Sequence, residues 1–389
     1  MGDADYVARL AGTRKRIQDA NLDGLVVVSE YNRRYLTGFT PTDHDVTESA
    51  GMALVTRGGL ALITSTFALN GIEDQVKPSG ATVLLTDREN PWKLVKQTLD
   101  AEGGVKRLGF EQDWISYERF ARMKEELGET VELAPTGDLI EFVRATKDTA
   151  EVDAMRQAAD VANRAFAQLL GVIRVGMTER QIAATLERGM IDLGAEGPSF
   201  PTIVGGGPGG ALPHWVPTNR PVQAHEPLLI DFGCRVDGYC SDLTRTVCIG
   251  EPDAKLVEIY GVVRAAQDAA LDALRSGART GGEMDAAARK VIEDAGYGKE
   301  FMHSLGHGVG LAVHELPVAT RAREGMSDEA LAKLAAAERF EPNSMVTNEP
   351  GIYIAGWGGV RLEDMILIRE DGVEVLTDRN PGRIIVIPE

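Results

Sequence analysis

The same order of elements runs twice through the chain from Asp148 onward, and this restricts its fold more than any single motif does. From Asp148 to Val172 apolar residues recur at helical spacing, with no Pro or Gly until Gly171. Arg174-Val175-Gly176 ends that helix. Thr178, with Gln181 three residues on, then caps another that ends at Gly194. Strands follow. At Pro252 a second long helix begins, running to Arg275-Ser276-Gly277; a further helix ends at Gly296, and strands follow again. Helix–helix–hairpin occurring twice predicts a duplicated domain in which each copy must pack on the other. The prediction rests on element order and on the two R-x-G junctions, because identity between the copies is slight.

Upstream the texture differs. Gly24–Val28, Met52–Val55, Leu60–Ile63, Ala81–Leu85 and Leu108–Phe110 are short apolar runs, separated by helical patterns at about 4–21, 91–102 and 116–127. Such alternation predicts an α/β domain around a central sheet. With 389 residues the chain can build two full cores. The expected organisation is therefore α+β: an N-terminal α/β domain over 1–145 and a duplicated C-terminal domain over 146–389.

The chemistry concentrates in the second domain. Asp237-Gly238 is a strong two-residue hairpin signal between Leu228–Gly233 and Tyr239–Val247. With that turn Val236 faces Tyr239 and Gly233 faces Asp242, so Asp231 and Asp242 share a face at a diagonal of roughly 7–8 Å. Taken alone, these two residues are better explained as an aspartate pair on a solvated strand face. In the second copy Met345–Tyr353 runs to a loop around Gly356 and Val360–Ile366 returns. A loop symmetric about Gly356 puts Glu349 opposite Glu363. That arrangement is unfavourable unless a cation lies between them, one carboxyl stays protonated, or the register differs.

Between the hairpins, His303, His307 and His314 fall within twelve positions of a glycine-rich stretch, and His214 precedes the first hairpin. His44 and His225 have no such setting and are read as surface residues. Asp231, Asp242, His307, Glu349 and Glu363 make a hard, oxygen-rich donor set suited to two divalent ions such as Mn²⁺, Co²⁺, Fe²⁺ or Zn²⁺.

These residues carry a resemblance. The stretches Ser199–Val204 with His214, Asp231 through Ser241–Thr246, Gly306–Pro317, Asn348–Tyr353 and Arg361–Asp364 resemble the M24 peptidases of pita-bread fold: Xaa-Pro aminopeptidases, prolidases, creatinase and methionine aminopeptidase. Asn32–Phe39 additionally resembles the creatinase-like N-terminal domain of the two-domain members. The resemblance implies a dinuclear hydrolase that cleaves the N-terminal residue from Xaa-Pro peptides or dipeptides through a hydroxide shared by the ions. Asp231 would chelate one ion, Asp242 and Glu363 would bridge both, and His307 with Glu349 would hold the other, with Mn²⁺ favoured. Glu349 would also shuttle a proton, His314 would meet the substrate carbonyl, and His214 and His303 would line the pocket beside proline. Arg361 would orient the bridging carboxylates or meet a substrate carboxylate. The resemblance also implies a homodimer. Creatinase does not keep the metal ligands, so the intact five argue against it. The alternatives are a same-fold enzyme acting on non-peptide substrates (creatine amidinohydrolase-like, an ectoine-type amide hydrolase or a lyase) and a non-catalytic binding protein.

Composition narrows the partners. A net charge of −18 argues against nucleic acid and anionic membrane surfaces, and no apolar run is long enough to span a bilayer. An acidic site wall suits the free amino group of a small peptide. Met1–Asp5 shows no apolar leader. Cys234, Cys240 and Cys248, odd in number and close together, suit reduced thiols on strands and a cytoplasmic home rather than a disulfide framework. Ala319–Arg339 is longer and more charged than this segment usually is in prolidases. Its Met326–Ala337 part reads as an inserted helix capped by Ser327, placed to border the pocket or to be a surface insertion.

Overall fold

In the computed structural model, residues 4–65, 71–86, 90–129, 131–323 and 325–389 are described. Met1–Asp3, where no leader is expected, lie outside the described residues. The chain divides into two compact units, Ala4–Arg144 and Ala145–Glu389.

The first unit is a mixed six-stranded sheet. Its strands are β1 (Gly24–Val27), β2 (Gly51–Thr56), β3 (Leu60–Ser65), β4 (Thr82–Thr86), β5 (Arg107–Glu111) and β6 (Glu132–Thr136), in the order β4-β3-β2-β1-β5-β6. The β1–β2 and β2–β3 pairs are antiparallel and the rest are parallel. Five strands were legible as apolar runs. The sixth was not: it carries Pro135 and lies at the sheet edge, where a missing backbone donor is tolerated. Asn32–Phe39 falls mostly on a short helix, Glu30–Thr37, capped by Ser29 and closed by Gly38 at φ 77°. Its polarity hides it from a periodicity reading, because Arg33 is buried and paired with Asp43 at 2.9 Å.

The second unit shows its duplication in element lengths. Helix Thr149–Leu170 has 22 residues and Glu179–Asp192 has 14; helix Ala254–Arg275 again has 22 and Gly281–Asp294 again 14. Both 14-residue helices open on a complete capping box, Thr178 with Gln181 and Thr280 with Glu283. Each helix pair packs its apolar face on its own sheet. The first pair covers Ile203–Gly206, Pro227–Phe232, Leu243–Ile249 and Ile385–Ile387, through a core including Phe166, Leu186, Ile230 and Phe232. The second covers the sheet containing Gly306–Gly308, Glu315–Ala319, Met345–Asn348, Asp364–Arg369 and Gly372–Val375, through Tyr260, Leu274, Ile292 and Ile366.

The two halves join where the functional carboxylates lie. Glu363 N–H donates to Thr244 O at 3.1 Å, and the Thr246 hydroxyl donates to Arg361 O at 3.0 Å. Arg245 and Asp364 form a buried ion pair across the same seam at 3.2 Å.

The first hairpin has the expected register. Val236 pairs with Tyr239 and, beyond a break, Phe232 with Leu243 and Asp231 with Thr244. Asp237 and Gly238 both have positive φ, as the tight turn requires. The break is at Gly233, whose backbone passes so close to its neighbours that a Cβ would overlap the Ser241 carbonyl and the Ser199 hydroxyl. Gly233→Ala is expected to cost about 3 kcal/mol, the upper end of overpacking penalties, read as a lower urea midpoint with unchanged slope. An unchanged midpoint would show that the bend is not needed.

Helix Asp328–Ala337 does form, with the Ser327 side chain capping Ala330 N–H. None of its residues is buried, and none lines the cavity described below.

Candidate metal centre

All nine candidate residues line one cavity of about 550 Å³ in the second unit. Asp231 comes from strand Pro227–Phe232, Asp242 from the turn into Leu243–Ile249, and His307 from Gly306–Gly308. Glu349 and Glu363 sit at matching register. Asn348 pairs with Asp364 on one side and Gly351 with Arg361 on the other, so the hairpin is symmetric about Gly356 through both ladders.

Asp242, His307 and Glu363 each offer a ligand atom within 4.8 Å of the others. Glu349 Oε1 lies 3.3 Å from His307 Nε2, and Asp242 Oδ2 lies 3.6 Å from it. His307 Nδ1 sits 3.0 Å from Gly308 O, which places its proton on that nitrogen and turns the Nε2 lone pair to the carboxylates. Thr347 hydroxyl bridges His307 N–H at 3.0 Å and Glu349 at 3.2 Å. Asp231 is held by Arg361 at 2.5 Å through Oδ2, while its buried Oδ1 has no partner.

The electrostatics are those of crowded, buried carboxylates. Burial first, and then the charges of Glu363 and Asp231, push Asp242 well above the usual carboxylate range. Burial followed by Glu349 and Asp231 does the same to Glu363. Asp231 is also raised by burial, against the pull of Arg361. Glu349 behaves oppositely: burial disfavours its charge, but the hydrogen bond and charge of His307 hold it at about 2. Four inward carboxylates, one of them with an orphaned buried oxygen, fit a bound divalent cation. Asp231, Asp242, His307, Glu349 and Glu363 are the residues that would hold it.

The remaining histidines separate by their partners. Both ring nitrogens of His303 are engaged, Nδ1 with Ser304 O at 2.7 Å and Nε2 with Tyr353 Oη at 2.8 Å. His314 sits edge-on to His307 with ring centroids 4.2 Å apart. Loss of solvation, then the neighbouring His307, hold it at about 4, so it is neutral near pH 7. His214 is exposed at the cavity wall beside Trp215 and Val216. Arg361 directs Nε to Thr244 Oγ1 at 3.0 Å, Nη1 to Tyr353 Oη at 2.8 Å and Nη2 to Asp231. It therefore orients the carboxylate of Asp231 directly and that of Glu363 through Thr244.

The residues not singled out from sequence are those that support others. Thr244 hydroxyl donates to Glu363 Oε2 at 2.7 Å, and Tyr353 links Arg361 to His303. Thr244 had a usable signal, since it lies directly opposite Asp231 in the hairpin.

Comparison with known proteins places this geometry. Residues 153–370 match the model of metallopeptidase family M24, and residues 9–146 match the creatinase/prolidase N-terminal domain. The chain belongs to metallopeptidase family M24. It is 36% identical over 381 residues to an uncharacterized peptidase, YqhT, of Bacillus subtilis, covering 97% of this chain and all of that one. Among solved structures it resembles an Xaa-Pro dipeptidase from Bacillus anthracis, with a TM-score of 0.87, 34% identity, and coverage of 98% of this chain and all of that one. An X-Pro aminopeptidase from Thermotoga maritima gives a TM-score of 0.81 at 31% identity, covering 96% of this chain and all of that one. This M24 protein thus pairs a creatinase-type N-terminal domain with a pita-bread catalytic domain, and is a metal-dependent peptidase. Family membership implies divalent metal. No helix among the described residues is long and apolar enough to cross a membrane.

Proposed function

We propose that this M24 peptidase removes the N-terminal residue from small peptides whose second residue is proline, using two divalent ions, with Mn²⁺ as the native metal. The observation that carries the reading is the convergence of the five donors, His214, His303, His314 and Arg361 on one cavity. The domain division we propose for this function is 1–145 and 146–389, with the metal residues all in the second part. Divalent ions held by the five donors supply an activated water and polarise the scissile carbonyl.

The chain's own groups do the rest. Glu349, held ionised by His307, is placed to take a proton from the attacking water and return it to the departing nitrogen. His314, neutral near pH 7, offers a ring N–H to the carbonyl as it gains charge. The acidic wall suits the substrate's free amino group. Phe200, Ile203, Trp215, Val216, Val313 and Val318 supply an apolar wall suited to a proline ring. His303, tied at both nitrogens, shapes this wall rather than titrating. Relatives of both dipeptidase and aminopeptidase description support cleavage before proline. The three free buried cysteines support a cytoplasmic setting, and a homodimer is the assembly we expect.

Chelator-treated protein is expected to lose turnover of Xaa-Pro substrates and to regain it with added Mn²⁺ or Co²⁺. Creatine and N-acetylated diamino acids are expected to remain uncleaved. Metal-replete protein that leaves every Xaa-Pro peptide intact, or that prefers one of those other compounds, would overturn the assignment.

A further inference from the structure

We propose that Glu179 is a positioning residue that holds the His214–Trp215 wall of the substrate cavity in place. The proposal rests on the reading of that cavity as a peptide site. Glu179 begins helix Glu179–Asp192, is completely buried, and does not line the cavity. Its carboxylate ties the end of strand Ile203–Gly206 to the loop of residues 212–220. Oε1 accepts Gly206 N–H at 3.1 Å, and Oε2 accepts the Trp215 indole N–H at 3.0 Å, Thr218 N–H at 2.9 Å and the Thr218 hydroxyl at 2.7 Å.

That loop is ordered mainly by hydrogen bonds: Arg180 N–H also donates to Thr218 O at 3.1 Å, Glu179 N–H to Arg220 O at 3.2 Å and Arg180 Nε to Pro217 O at 3.1 Å. Residues 212–220 form neither helix nor strand, and Leu212 and Val216 are 54% and 72% exposed. With these two apolar side chains in solvent, hydrogen bonds carry much of the loop's order, and those at the buried Glu179 carboxylate reach Trp215 itself. A helix N-terminus favours the negative charge that these donors need. Pro213, His214, Trp215 and Val216 all reach the cavity from this loop, so Glu179 sets their positions without touching substrate. The duplicated half repeats the device. Asp285, on helix Gly281–Asp294, pairs with Arg289 at 2.7 Å and accepts Leu305 N–H at 3.0 Å; Arg289 in turn donates to His303 O at 2.9 Å. In both halves the second helix carries a buried carboxylate that secures a histidine-bearing segment.

The test uses the metal-replete full chain. Glu179→Gln keeps the shape but turns an amide N–H towards groups that are all donors. KM for an Xaa-Pro dipeptide is expected to rise about tenfold, with kcat within about threefold and metal content unchanged. Acrylamide quenching of Trp215 is expected to increase, and that increase to vanish in a Trp215→Phe background. Should Glu179→Gln not fold, Thr218→Val, which exchanges the hydroxyl for a methyl and keeps the rest of the side chain, is expected to shift KM and quenching in the same direction by less. Unchanged KM with unchanged quenching would overturn the proposal. So would a fall in kcat and Tm alone, because that describes a purely structural residue. If the wild type does not cleave Xaa-Pro peptides, the proposed function fails, and the quenching comparison still decides the role of Glu179.

Discussion

Replacing Glu363 with glutamine is expected to abolish measurable turnover while leaving the metal-free protein at least as stable as the parent. The two halves of this result have one cause. Glu363 is 2% exposed and lies among Asp231, Asp242 and Glu349, and burial with these charges drives it towards its protonated form when no cation is present. Glutamine is close in shape to that neutral form and still accepts from the Thr244 hydroxyl. The substitution therefore removes a repulsive charge from the empty site. The same change removes a ligand from the loaded site, where several kcal/mol of transition-state stabilisation depend on metal, so turnover should fall by about 10³-fold or more. Metal content, chelator-treated Tm and metal-loaded Tm should be measured together. The Tm gain on adding metal should shrink most. A variant that binds metal stoichiometrically and keeps a tenth of parental activity would show that Glu363 is not a ligand.

Arg361→Met is expected to have the opposite stability profile. The Arg361 side chain is 4% exposed and directs its donors at Asp231, Tyr353 and Thr244. Methionine fills much of the same volume but leaves Asp231 as a buried carboxylate without its counter-charge. Breaking a buried pair from one side costs about 3–5 kcal/mol, which for a domain of this size lowers Tm by roughly 10 °C. Activity should fall as well, since the variant cuts the hydrogen-bond chain from Arg361 through Tyr353 to His303. Adding Asp231→Asn should recover part of the loss in stability and none of the loss in activity. That asymmetry separates a charge left unpaired from simple loss of packing. If Arg361→Met melts with the parent in metal-free buffer, the pair contributes nothing to the fold.

Much of this was legible before any coordinates. The hairpin registers followed from Asp237-Gly238 and from the symmetry about Gly356, because a period of two leaves no freedom once a turn is set. The duplicated helices were visible through element order, the two R-x-G junctions and, in the first copy, the Thr178 cap. What escaped were groups whose role depends on partners distant in the chain. Glu179 reads locally as an ordinary acidic residue in a helix's first turn; only the folded loop shows Trp215 and Thr218 converging on it. The helix holding Arg33 and the strand holding Pro135 escaped for another reason, since a buried ion pair and an edge strand do not follow apolar periodicity. Arg361 was assigned two possible roles from sequence, and three occupied donors favour the orienting one.

The shared register on either side of Pro350 has a consequence for variation in this protein. The two-stranded ribbon Gly351–Ile354 with Gly358–Arg361 and the ladder of Asn348 with Asp364 keep step with each other, although they belong to different sheets. The turn of residues 355–357 acts as a spacer with a parity: Gly356, at φ 76°, fixes its bend, and adding or deleting one residue slips one strand past the other. A single slip sends alternate side chains to the far face, and Glu349 and Glu363 would no longer look into the same space. The length of this loop is therefore constrained as strictly as the ligands it serves.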